Sequence, residues 1–210
     1  MELHFYPGVH TLVLNSGKQR LQFEAWGGPA SIGSDPYMPE EPTWPGQYII
    51  HSTGPYRTPT WPASKLAWGT KLRDMPKIND VWYELPSGKW GSVQKDVGFS
   101  RVEITKMYFQ LYGKVTVPSF WVFNDFGPIS IRWFKDLNNN KVLDVKETLS
   151  GQMFHTTPQD EANTALGKKV NLTPSHGCIH LKPKDRDLLI AKKAFAPKTL
   201  FIVHKYHEKP

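Results

Sequence analysis

The stretch SHGCIHLKPKDRDLLIAKKAFAPKTLFIVH, residues 175–204, governs how the rest of the chain is read. Its middle is punctuated as a helix over 183–195. Pro183 suits a first helical position, Asp185 and Asp187 lie in the first turn, Lys192 and Lys193 in the last, and Pro197 follows. The apolar runs on either side, IHL and TLFIVH, read as strands. Immediately before the first of them stands Cys178, the one cysteine among 210 residues, with Gly177 before it and His176 and His180 on either side.

Working outward, most of the remaining pattern is also extended. TLVLN and RLQFEA flank SGKQ near the N-terminus with alternating apolar residues, which predicts a hairpin. From Gly27 to about residue 100 the chain is dense in Pro, Gly and Trp. That composition predicts long ordered loops around short strands such as QYIIH. RVEITKMYFQLYG, KVTVPSFWVF and PISIRWF, with β-branched and aromatic residues between Gly, Pro and Asn, read as three further strands. The expectation is a single mainly β domain over 1–210, a sandwich or partly closed barrel, with one short helix after the cysteine and an elaboration at 27–100.

Composition limits what such a domain does. With 39% hydrophobic and 13% aromatic residues the chain buries a core and is not a disordered tail. One cysteine excludes an internal disulfide and a multi-cysteine zinc knuckle. A net charge of +7 favours an anionic partner. The cations are scattered, without an arginine-rich run or an RNP-like aromatic motif, which argues against nucleic acid. No apolar run reaches the ~20 residues of a membrane span. The N-terminus MELHFYPGVH does not read as a signal peptide, so a trimmed mature form or a specialised delivery route is expected.

Cys178 admits three readings: nucleophile, metal ligand or small buried filler. A nucleophilic cysteine needs access, a base and donors for an oxyanion. Gly177 clears space beside the sulfur, the amides of Gly177 and Cys178 are candidate oxyanion donors, His176 and His155 are candidate bases, and Ser175 is a candidate orienting group. Zinc shared by His176, Cys178 and His180 is the metal reading. In an extended chain, however, the two histidines stand roughly 13 Å apart at the backbone, too far for one ion without a bend. His51 and His204 have no motif around them, and a structural role is their default.

SHGCIH, with GQMFHTT upstream placing His155 23 residues before the cysteine, resembles the catalytic signature of the L,D-transpeptidase (YkuD-type) family. The strand–helix–strand run after the motif agrees with it, and PTWPGQYII is loosely similar to an early segment of the family. The resemblance implies Cys178 as nucleophile and His155 as general base. Ser175 and His176 would orient and polarise the site, and Gly177 would serve the oxyanion hole. It implies a cell-wall substrate: Cys178 attacks the third residue of a peptidoglycan stem peptide, D-alanine leaves, and the thioester passes to an amine or to water. No cofactor is required, carbapenems are expected to label Cys178, and the periplasm or cell wall is the place of action. Two positions depart from the family pattern. Thr156 replaces the usual glycine after the histidine, and His180 stands where Arg or Asn is usual, so both are expected beside the substrate. The resemblance also extends to family members delivered into rival bacteria, for which an immunity protein is the expected partner.

A separate signal is DLNNNKVLDVKE, residues 136–147. Asp136, Asn138, Asn140, Asp144 and Glu147 fall at the oxygen-ligand positions of an EF-hand-type loop, which predicts a structural Ca²⁺, although Lys141 replaces the turn glycine and flanking helices are missing. An Asn-rich hairpin turn is the alternative. Two rival functions stand beside the enzyme reading. One is a catalytically silent wall-binding module. The other is a papain-like or endopeptidase-type hydrolase, with its histidine after the cysteine at His204 or His207.

Overall fold

The computed structural model describes residues 1–210. In chain order the strands are β1 (Glu2–Tyr6), β2 (Thr11–Ser16), β3 (Gln19–Trp26), β4 (Gly46–Gly54), β5 (Leu72–Met75), β6 (Asp80–Glu84), β7 (Trp90–Ser92), β8 (Ser130–Phe134), β9 (Leu149–His155), β10 (Ile179–Leu181) and β11 (Leu200–Val203). The helices are α1 (Val93–Asp96), α2 (Arg101–Tyr112), α3 (Pro158–Ala165) and α4 (Pro183–Ala191). The chain divides into two compact units, the first built from 1–54, 130–155 and 170–210, the second from 55–129 and 156–169.

The first unit is a closed barrel of order β1-β11-β4-β8-β9-β10-β3-β2, so the mainly β expectation holds and the barrel is complete. Full closure leaves no unpaired edge. Two neighbouring pairs, β1/β11 and β9/β10, are parallel and the rest antiparallel. Alternate residues fill the interior: Leu3 and Phe5, Leu12 and Leu14, Ile131 and Trp133, and Ile179 and Leu181 are all buried. At its centre the rings of Trp133, Phe154 and Phe201 meet at centroid distances of 4.8–5.0 Å. The helix expected over 183–195 starts at Pro183 but ends its regular turns at Ala191; Lys193 then adopts a left-handed φ of 60° that stops it.

The second unit has a three-stranded sheet, β5-β6-β7, with α1, α2 and α3. Its core gathers Leu66, Leu72, Val81, Val93, Ile104, Trp121 and Phe123. Two strand expectations fail here. RVEITKMYFQLY is the helix α2, because Ser100 and Glu103 close a capping box at its start and Gly113, at φ 71°, ends it. KVTVPSFWVF forms no named strand. Pro118 interrupts it, and only residues 119–121 pair strand-like with 70–72.

Candidate active site

The site is built on the parallel pair β9/β10, where Phe154 lies beside Ile179 and His155 beside His180. Phe154 and Ile179 are fully buried in the barrel. Side chains alternate along a strand, so His155 and His180 turn to the opposite face. The imidazoles of His155 and His180 meet edge to face, centroids 4.7 Å apart. Cys178 stands in the bend immediately before β10, and Met153 on β9 donates its backbone N–H to Sγ. Met153 lies two residues before His155, a rise of roughly 7 Å along β9, so the thiol and the imidazole flank the same stretch of that strand.

Arg132 on β8 sits directly opposite Met153, and its neighbour Ile131 points into the barrel beside Phe154. Arg132 pairs with Met153 and Met153 in turn bonds Sγ, so Met153 lies between Arg132 and Cys178. The thiol is partly enclosed. Burial pushes it up to about 11, while the Met153 N–H and the positive charge of Arg132 pull the other way by favouring the thiolate.

The turn before β10 is held from several sides. Ser175 is buried; its Oγ donates to the carbonyl of Cys178 and accepts from the Gly177 N–H at 3.0 Å, and its own N–H donates to Gly27 O. The Ser175 hydroxyl is thus engaged with backbone and does not touch a histidine. The Gly177 amide is already committed to it, which leaves Cys178 N–H as the nearer oxyanion donor. Gly177 has φ 113°, and a Cβ there would stand 2.4 Å from Gln152 Nε2, so only glycine fits. Gly28 is similarly required: a Cβ there would strike the carbonyl oxygen of Glu41 and crowd the Cα of Gly177.

Two buried polar residues that the sequence reading missed complete this frame. Thr43 donates to Gly177 O at 2.9 Å and accepts from Gly28 N–H at 3.0 Å. Gln152 donates to Pro42 O at 2.7 Å and accepts from Trp44 N–H. Gln152 had a readable signal, as a lone amide in the apolar run before His155. Thr43, inside a Pro-rich loop, had none.

The other expected residues are placed as follows. His176 is exposed and stands near Asp35, whose carboxyl is held low by the N–H groups of Tyr37 and Met38 and then by His176. His180 pairs its Nδ1 with Thr173 O at 3.0 Å. Thr156, in the second unit, is fully buried and donates its hydroxyl to Glu161. His51 packs edge-on to Phe134. His204 hydrogen-bonds His4 and Glu208 at the end of β11, and β11 is separated from β10 by three strands in either direction round the barrel. His155, upstream of the cysteine in sequence, instead ends β9, the strand beside β10.

In the 136–147 loop the candidate oxygen ligands bond to the loop itself. Asp136 accepts from the N–H groups of Asn138 and Lys141, Asn138 Oδ1 from Asn140 N–H, Asn140 from Val142 N–H, and Asp144 from Asn138 Nδ2. Glu147 accepts from Leu137 and Asp144 N–H. Lys141 adopts φ 58°, the conformation for which the glycine is otherwise used. Asp136, Asp144 and Glu147 do not converge as a group able to hold an ion, and neither do His176, Cys178 and His180.

The family model for the L,D-transpeptidase catalytic domain, YkuD, matches residues 9–191. The chain belongs to the YkuD family. No curated protein and no solved structure matches it. As a YkuD domain it is a peptidoglycan enzyme of the L,D-transpeptidase type. No helix of this YkuD domain is long and apolar enough to cross a membrane.

Proposed function

We propose that the protein acylates itself at Cys178 on peptidoglycan stem peptides. The observation that carries this reading is that Cys178, immediately before β10, accepts the N–H of Met153 on β9, two residues from His155. His155 takes the thiol proton as Sγ attacks the carbonyl of the third stem residue, and the Cys178 N–H faces the oxyanion. The carbonyl–nitrogen bond breaks, the imidazolium returns the proton to the departing D-alanine amine, and a thioester remains. An amine then attacks with loss of a proton to His155, giving a 3→3 cross-link or amino-acid exchange; water in its place gives carboxypeptidase activity. Either route regenerates the thiol, and no cofactor enters the cycle. A thiol poised by burial rather than ionised at rest suits general-base activation, because the charge forms only as the substrate is attacked.

The test is release of D-alanine from tetrapeptide muropeptides, followed by mass spectrometry. Cys178→Ala is expected to abolish release and the thioester adduct, and His155→Ala to lower kcat by roughly 10²–10⁴-fold. Intact muropeptides with wild-type protein would leave a wall-binding module as the better reading.

A further inference from the structure

We infer that Arg132 binds the free terminal carboxylate of the stem peptide that Cys178 attacks, confining the enzyme to the last peptide bond of the stem. This rests on the acyl transfer proposed above. In that reaction the departing D-amino acid carries its carboxylate only a few bonds from the carbon under attack. A cation that reads it must therefore lie beside the nucleophile without being the base.

Arg132 meets both conditions. It pairs across β8 and β9 with Met153, and the Met153 N–H is bonded to Cys178 Sγ, so one residue separates Arg132 from the thiol. His155, the proposed base, is two residues beyond Met153 on β9. Arg132 is partly exposed. Its Nη2 is anchored on Ser150 O at 2.9 Å, which fixes the plane of a fork carrying five N–H donors in all. Its charge is also felt at the thiol, so the guanidinium lies within electrostatic reach of Sγ. A planar guanidinium takes a carboxylate with two parallel hydrogen bonds, which supplies both affinity and orientation.

The experiment compares a tetrapeptide stem ending in D-alanine with the same stem ending in D-alaninamide, on wild type, Arg132→Gln and Arg132→Lys. Wild type is expected to favour the acid by roughly ten- to a hundredfold in kcat/KM, mostly through KM. Arg132→Gln collapses that ratio towards one, and Arg132→Lys restores part of it. A wild type that cleaves acid and amide equally overturns the inference and leaves the acyl-transfer reading standing, and this holds even if Arg132→Gln does not fold. Equal losses on both substrates in Arg132→Gln also overturn it, since they would mark a cation acting on the thiolate alone. Wild-type protein that releases neither D-alanine nor D-alaninamide sinks the acyl-transfer reading and this inference with it.

Discussion

At the residue scale the decisive quantity is the proton on Cys178. Enclosure raises the thiol to about 11, against the opposing pull of Met153 N–H and Arg132. An acid with a raised pKa keeps its proton through the neutral range and loses it only as pH climbs towards the new value. Alkylation of the free enzyme by iodoacetamide should therefore be slow near pH 7 and still rising at pH 9–10, because the thiolate is the reactive form. A plateau reached below pH 8 would mean a pre-formed thiolate–imidazolium pair and would sink the general-base step. The turn beside the thiol makes a second prediction. Gly177→Ala brings both a positive φ and a methyl against Gln152, so a loss of about 1–3 kcal/mol is expected in chemical denaturation. Gln152→Ala in the same chain should relieve the contact but not the backbone cost. Full rescue by the double variant would show that φ costs nothing there.

At the scale of elements, periodicity told barrel strands from loops wherever one face met the core. β2, β3, β8, β9 and β11 were all legible, because barrel interior and exterior alternate residue by residue. The α2 segment packs on the core of the second unit through Ile104, Met107, Tyr108 and Leu111, a helical i, i+3, i+4, i+7 face, but the exposed Val102 and Phe109 add apolar residues off that face and gave the run a strand-like look. The corrective signal was present as Ser100 and Glu103, three residues apart, with Gly113 at the far end. The cysteine and histidine were legible through their motif. Gln152 was legible only as a lone amide in an apolar run, and Thr43 and Arg132 not at all, since what ties them to the Cys178 turn is contact between segments distant in sequence. The capping box is measurable: Ser100→Ala removes one side of a reciprocal pair at 2.7–3.3 Å and should cost about 1 kcal/mol, a drop of a few degrees in melting temperature. An unchanged melting curve would mean that α2 draws its stability elsewhere.

At the scale of the whole molecule, the matched family segment and the folded barrel do not coincide. The match spans 9–191, whereas β1 covers Glu2–Tyr6 and β11 covers Leu200–Val203. These two strands pair with each other in parallel, and β1 joins β2 while β11 joins β4, so together they close the ring. They also bring Leu3, Phe5, Phe201 and Val203 into the interior, and Phe201 packs directly on Trp133 and Phe154. Phe154 immediately precedes His155, so the ring that closes the barrel also backs the strand carrying the proposed base. A fragment limited to 9–191 would lose six buried hydrophobic side chains, these four with Ala194 and Phe195, at several kcal/mol in total. It would also expose two open edges, on β2 and β4, to other chains. That fragment is expected to aggregate and to bind a hydrophobic dye, and to show no cooperative melt, while the full chain melts cooperatively. If 9–191 instead stays monomeric and releases D-alanine at the full chain's rate, then closure by β1 and β11 is dispensable, and the geometry of Cys178 and His155 is held by β3, β8, β9 and β10 alone.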